Sequence, residues 1–452
     1  MLIMSEVYRI RGRRAAEIAS SVEKAVTAGV LAPGSALPPL RDLAAELGVN
    51  PNTVASAYRL LRERGVIETG GRRGSHVRPR TAHTPRHQIQ LDIPHDARDL
   101  SHGNPSAEQL PPLTEALHHA AAEQLRDPVL YGRASVDEQL WGLVRREFLA
   151  DGVPPGPIAV TSGALDALER VLQARLRPGD LVAVEDPGWG SLLDLLPALG
   201  LRAVGVGIDD DGPRPDGVAR ALASGAAALV VTSRAQNPTG AALGAHRAAE
   251  LREVLRPSPG VLVIEDDFGH AIADAPYHPL CAEDGRPVTE HWTVIRSVTK
   301  IFGPDMRLAV LTGDSDTVDR IRGRQRLGAG WVSHVLQRAV AQLWKGEAVD
   351  RTRVAGFYGE RRAALILALA EQGVRAYGRS GFNVWIPVPD ETVAVVGLMR
   401  RGWAVAPGAR FRLGSRPGLR VTVSTLGLDE IPRLAADVAA ALRTDLSASS
   451  LA

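Results

Sequence analysis

A single cysteine, Cys281, stands among the 452 residues. An internal disulfide framework and a cysteine-rich zinc site are therefore excluded, and no metal centre is expected. Long apolar runs are missing too. No stretch reaches the roughly 18 consecutive apolar residues that a membrane-crossing helix needs. The opening Met1–Ile10 is too short to hold the apolar core of a secretion signal. A reducing cytoplasm is the expected compartment, with no membrane partner. Lysine is the third scarcity: of 53 basic residues only Lys24, Lys300 and Lys345 are lysine. Arginine does the ordinary work of surface charge, so each lysine poses a separate question. What is present is unexceptional: 45% hydrophobic and 23% charged residues. Those proportions exclude disorder as the dominant state and predict a globular chain of two to four domains.

Charge is distributed unevenly. Residues 1–80 carry 13 basic and 7 acidic side chains, and the remainder carries 40 and 44. A basic head on a mildly acidic body points to a polyanionic partner, although a solvated basic face has the same arithmetic. Pattern decides more than charge. Ile18, Val22, Ala25 and Val26 recur at helical spacing and stop at Gly29. Leu40, Leu43, Ala44 and Leu47 mark a second, short helix closed by Gly48. Asn50 can cap a third helix with Pro51 at its first position, where a missing N–H costs nothing. Val54, Tyr58 and Leu61 form its buried stripe. Two β-prone pieces, Val66–Thr69 and Ser75–Arg78, are joined by Gly70–Gly74, which holds Arg72 and Arg73. The whole reads as a winged helix-turn-helix over residues 1–78, with the third helix suited to a DNA major groove. Residues 79–100 hold three prolines, mixed charge and no sustained period, as a mobile linker does.

From residue 101 to about 445 helical and strand patterns alternate. Apolar runs at Leu181–Val184, Ala228–Thr232, Val261–Glu265, Thr293–Arg296 and Leu308–Thr312 predict a mainly parallel sheet covered by helices. Ligands in such folds bind beyond the carboxyl ends of the strands. Asp186, Asn237, Asp266 and Lys300 all fall just after such runs. Lys300 follows Ser297-Val298-Thr299 and precedes Arg307. A lysine so placed can form a Schiff base beside a phosphate held by Ser297 and Arg307. Thr161-Ser162-Gly163-Ala164 leads into a helix whose first N–H groups can share that phosphate. Asp266 can keep a pyridine nitrogen protonated, Asn237 can donate to a phenolic oxygen, and Trp189 can stack on a ring. Taken singly, each has an ordinary alternative: a cap, a turn or a loop. Their joint order argues for the cofactor site.

Two resemblances follow from these residues. Pro33-Gly34, Leu37-Pro38, Arg41, Leu43-Ala44, Leu47-Gly48-Val49, Asn52-Thr53-Val54, Ala57-Tyr58 and Gly74-Ser75 resemble the DNA-binding domain of the GntR family. The resemblance implies DNA contacts at Arg41, Asn52, Thr53 and the wing, with Pro51 standing where many relatives carry arginine. The body resembles fold-type I pyridoxal phosphate enzymes of the class I/II aminotransferase type. This implies a large parallel-sheet domain and a smaller C-terminal α/β subdomain from about residue 345. It also implies an internal aldimine on Lys300, Asp266 at the pyridine nitrogen, Asn237 at the ring oxygen and Trp189 stacked. Gly163, Ala164, Ser297 and Arg307 would hold the phosphate, with Tyr131 reaching it from the partner subunit of a homodimer. Arg420 would receive a ligand carboxylate. Phe268 stands where relatives commonly have tyrosine, which puts efficient transamination in doubt. A head and body of these two kinds resemble the MocR/GabR group of transcriptional regulators. Ser101–Pro105, Ser233–Asn237 and Gly381–Trp385 are similar to its PtsJ-like branch, associated with vitamin B6 salvage. The implied function is a pyridoxal 5′-phosphate-dependent regulator that binds double-stranded operator DNA. A small amine, an amino acid or pyridoxal phosphate itself would modulate it. The alternative is a working aminotransferase with a fused DNA-binding head.

Overall fold

The computed structural model describes residues 10–27, 30, 31, 34–63, 66–69, 74–77 and 93–449. Arg72, Arg73 and linker residues 79–92 lie outside the described residues. In the head, α1 (Ala15–Thr27), α2 (Leu40–Leu47) and α3 (Pro51–Glu63) precede the antiparallel pair β1 (Ile67–Thr69) and β2 (Ser75–Val77). Gly48 ends α2 in the left-handed region at φ 63° and turns its N–H back to the carbonyls of Ala44 and Ala45. Asn50 starts α3 by accepting the Asn52 N–H at 2.9 Å. The stripe then packs as its spacing predicts: Ile18, Val22, Leu43, Val54, Ala57, Tyr58 and Leu61 share one small core. Tyr58 donates its hydroxyl to the Pro38 carbonyl at 2.8 Å, tying α3 to the chain entering α2.

The body is built on an eight-stranded sheet. Its strands are β3 (Ile158–Thr161), β4 (Leu181–Asp186), β5 (Arg202–Asp209), β6 (Gly212–Pro213), β7 (Ala226–Thr232), β8 (Leu262–Asp266), β9 (His291–Ser297) and β10 (Ala309–Gly313). Their spatial order is β3-β10-β9-β8-β7-β4-β5-β6. β4, β7, β8 and β9 run parallel. Both faces of these strands are covered, so nearly every position is buried: all five of β8 are, Glu265 and Asp266 included. β10 departs from the parallel expectation and runs antiparallel to both β9 and β3. The reason is the short link after β9. Residues 298–308 are too few for the crossover that a parallel return demands, so the chain turns back directly. That turn carries Lys300.

A second, three-stranded antiparallel sheet pairs β11 (Asn383–Pro387) with β13 (Gly418–Thr422), which pairs with β12 (Ala406–Pro407). The helices Arg351–Glu371, Glu391–Met399 and Ile431–Ser449 belong to this C-terminal region. Arg98–Asp99, inside the stretch read as linker, is a strand paired in parallel with Trp403–Ala404. One continuous core runs through the body and includes Leu140, Val263, Tyr358 and Trp403. Among the described residues no helix is long and apolar enough to cross a membrane.

Candidate functional site

The polar residues singled out from the sequence meet at one edge of the large sheet, beyond the carboxyl ends of β3, β4, β7, β8 and β9. Lys300 sits in the turn after β9, where its neighbours Val298, Ile301 and Phe302 are buried and fix the backbone. Its ammonium donates to the Gly103 carbonyl at 2.5 Å. Burial, with Arg420 and Arg307 nearby, brings its pKa down to about 8.

Asp266 closes β8 and is 3% exposed. Its Oδ1 is buried without a hydrogen-bond partner. Burial first, then the charges of Asp267 and Glu185, push its pKa up to about 7, against a stabilising N–H from Phe268. Behind it the charges are well matched. Asp267 takes a two-pronged contact from Arg234 at 2.9 and 2.7 Å and a third from Arg296 at 2.9 Å. Glu265 accepts the Leu280 and Cys281 N–H groups and the Ser233 hydroxyl. Glu185 accepts Thr232 N–H and Gln236 Nε2, both at 3.0 Å. Phe268 packs partly buried against the main core.

Gly163, at φ 101°, precedes the helix Ala164–Arg175. A Cβ there would meet the Arg307 guanidinium at 2.5 Å, so only glycine lets that cation close on the helix start. Arg307 also donates to the Ser162 carbonyl at 3.0 Å. Gly163, Ala164 and Arg307 therefore form one cationic cradle. The Ser297 hydroxyl lies 3.0 Å from that of Thr299.

Beside Lys300 lies a cavity of about 220 Å³ bordered by Trp189, Asn237, Phe411 and Arg420. Trp189 also borders a smaller space shared with Asp266. Arg420, 5% exposed on β13, donates to Asn237 Oδ1 at 2.9 Å and to the Ser101 carbonyl at 2.5 Å. Its Nε is buried without a partner. Burial and the charge of Arg410 bring its pKa down to about 9. Tyr131 is not brought to this cavity. It is 94% exposed, edge-on to Trp331, in a separate open groove of about 1400 Å³.

Sequence reasoning missed several parts. Arg410 lines the cavity, but an arginine carries no signal in a chain that uses arginine almost everywhere. Asp186 has a scaffolding part: it accepts the N–H groups of Leu413, Gly414 and Ser415 and the Ser415 hydroxyl at 2.7–2.9 Å. It thereby ties the chain after Arg410 to the turn that carries Trp189. The pairing of Asp267 with two arginines was legible only as a second acid beside Asp266. In the head, Arg41 on α2 and Asn52 on α3 are exposed, and Thr53 is half-buried beside them. Asn52 and Thr53 thus stand in the first turn of α3, the helix expected in the groove.

Comparison with known proteins places these features in families. The aminotransferase class I and II family matches residues 96–438, and the gntR family of bacterial regulatory proteins matches residues 14–77. The vitamin B6 salvage pathway transcriptional repressor PtsJ of Salmonella typhimurium is 40% identical over 447 residues, covering 96% of this chain and 99% of its own. The HTH-type transcriptional regulator TauR of Rhodobacter capsulatus is 26% identical over 473 residues, covering 93% and 95%. Among solved structures, a multiple substrate aminotransferase from Thermococcus profundus superposes with a TM-score of 0.71 at 19% identity, over 81% of this chain and 96% of that one. That last likeness speaks of fold alone. The chain belongs to the MocR-type regulator family, in which a gntR-type helix-turn-helix is joined to an aminotransferase class I and II domain.

Proposed function

We propose that this chain is a transcriptional regulator that binds double-stranded DNA through its head and holds pyridoxal 5′-phosphate in its body. A small amine, an amino acid or the cofactor itself sets its affinity for an operator, and the working unit is a homodimer in the cytoplasm. The observation that carries the reading is the meeting of Lys300, Asp266 and the Gly163–Arg307 cradle at one sheet edge. The residues fit the cofactor. Asp266 Oδ1 is a buried acceptor with no donor of its own, as a protonated ring nitrogen requires. Gly163, Ala164 and Arg307 bring a helix start and a guanidinium together, the two donors a phosphate would use.

When bound, the pyridine ring supplies an electron sink for bonds at an attached amine carbon. This chain's own residues do the rest. Lys300, with its lowered pKa, would offer the cofactor's aldehyde a neutral amine. Asp266 holds the proton on the ring nitrogen. Asn237 donates its amide to the ring oxygen while its Oδ1 is fixed by Arg420. Trp189 would offer a flat surface to the ring, and Arg420 would receive a ligand carboxylate. Ser297 adds a hydroxyl to the phosphate, and Tyr131 reaches the partner subunit's site. In the head, Arg41, Asn52, Thr53 and the wing arginines Arg72 and Arg73 meet DNA. A ligand alters operator affinity only by its different affinity for the two arrangements of the protein.

The test is borohydride reduction of the protein mixed with pyridoxal phosphate, followed by peptide mapping. The adduct is expected on Lys300 and absent in Lys300→Ala. An adduct retained on Lys24 or Lys345 in that variant overturns the assignment.

A further inference from the structure

Two buried carboxyl groups border one small space at the sheet edge. Glu185 lies on β4 and Asp266 ends β8. Both line the narrow gap beside Trp189 that Leu192, Val230 and Thr232 help to enclose. No arginine, lysine or histidine lines it among the described residues. The neighbouring acids have partners of their own. Arg234 and Arg296 are engaged on Asp267, whose charge also reaches Asp266. Glu265 takes two N–H groups and the Ser233 hydroxyl, and Asp186 is held by residues 413–415. The donors that Glu185 receives are neutral: the Thr232 N–H and the Gln236 amide. That amide cannot turn around. Its oxygen accepts the Thr239 N–H and hydroxyl at 2.9 and 2.7 Å, and its Nε2 also donates to the Pro187 carbonyl at 2.9 Å. Neutral donors satisfy lone pairs without cancelling a charge. Two carboxylates that border one cation-free apolar space therefore oppose each other's ionisation.

We infer that Glu185 is a positioning residue for the cofactor: it holds the proton that Asp266 gives up in order to meet the ring nitrogen as a carboxylate. This rests on the proposed function, in which Asp266 faces that nitrogen. In the free protein the two carboxyls share one proton. Opposite a protonated ring nitrogen Asp266 carries the charge, and the shared proton settles on Glu185. The Thr232 hydroxyl, already in contact with Glu185, can accept that O–H. The count balances: the two carboxyls hold one proton before and after, and the ring keeps its own. The site thus presents one counter-charge to the ring and leaves no second buried carboxylate unpaired. Asp267 cannot take this part, because two arginines already hold its oxygens.

The experiment is infrared difference spectroscopy of the full-length protein, free and loaded with pyridoxal phosphate. The protonated-carboxyl stretch is followed across pH in water and in deuterium oxide, after reduction and mapping of a sample has located the adduct. The loaded wild type at mildly acidic pH should show a buried protonated carboxyl, and loaded Glu185→Gln should lose it. In the free protein the band should persist to higher pH in the wild type than in Glu185→Gln or Asp266→Asn, by about one pH unit or more. Each substitution removes the charge that keeps the other group protonated. If Glu185→Gln fails to fold, the wild type and Asp266→Asn still decide the matter. A loaded wild type without a protonated carboxyl overturns the inference while the Lys300 adduct stands. So does a band that survives in loaded Glu185→Gln, or a free-protein midpoint that neither substitution moves, as a merely structural Glu185 would give. An adduct absent from Lys300 overturns the functional reading and with it the part given to Glu185 toward the ring.

Discussion

Lys300 is the residue on which the proposed cofactor depends, and its proton is a measurable handle. Its pKa is lowered from 10.5 to about 8, chiefly by burial and then by Arg420 and Arg307. An ordinary lysine is neutral in only about 3 of 10,000 molecules at pH 7, whereas a pKa near 8 makes about one in ten neutral. The site thus gains roughly 300-fold in reactive amine, equivalent to about 3 kcal/mol. Arg420→Gln removes one of the two repelling cations while leaving the Gly163–Arg307 cradle in place. The pKa of Lys300 should rise, because the charged form is no longer opposed by that guanidinium. The protonated fraction at pH 7 then grows, and capture of pyridoxal phosphate slows. Stopped-flow absorbance across pH 6–10 reads this directly. In the wild type the rate should climb about tenfold per pH unit and level near pH 8. In Arg420→Gln the levelling point should move to higher pH, and the rate at pH 7 should fall by more than twofold. It should not fall by the full 300-fold, since burial remains. Arg420→Lys, which keeps the charge, should stay close to wild type. A wild-type midpoint near 10.5, or an unmoved midpoint in Arg420→Gln, refutes this account of the site's electrostatics.

Glu185 gives a stability test. Its folded pKa is pushed up to about 7 from 4.5 by burial, against the hydrogen bonds of Gln236 and Thr232. The folded form therefore loses stability as pH rises from 4.5 to 7, by up to roughly 3 kcal/mol. The apo protein carrying Glu185→Gln should melt relatively higher, against wild type, at pH 8 than at pH 5, and a difference independent of pH would contradict this. Tyr58→Phe deletes the bond to the Pro38 carbonyl and should destabilise the head by about 0.5–1.5 kcal/mol, read from denaturant unfolding. Arg41→Ala should cost about 1–3 kcal/mol of specific DNA affinity if it reads a base. The wild-type affinity should fall steeply with salt, as counterion release requires.

Much of the site was legible because composition made it so. With three lysines in the chain, Lys300 stood out, and the β-rich runs before Asp266 and Lys300 end where such folds bind their ligands. The head was legible through helical spacing and the Gly48–Pro51 boundary. What stayed hidden depended on contacts far apart in sequence. Arg410 is one of many arginines until Glu391 and Asp186 are seen to clamp its turn. Asp186 read as a candidate for chemistry because it follows an apolar run, yet its oxygens are taken by residues 413–415. The reversal of β10 follows from the length of a turn, which strand propensity does not encode. Tyr131 is assigned by resemblance, and one chain alone leaves it exposed.

The central claim is that the body's ligand state controls the head's hold on DNA. The direct measurement is the Kd of the full-length protein for DNA recovered by binding selection, by fluorescence anisotropy, with and without pyridoxal phosphate, in wild type and Lys300→Ala. The account predicts a Kd that changes with the cofactor in the wild type and does not change in Lys300→Ala. A wild-type Kd indifferent to pyridoxal phosphate, or an equal response in the variant, contradicts it.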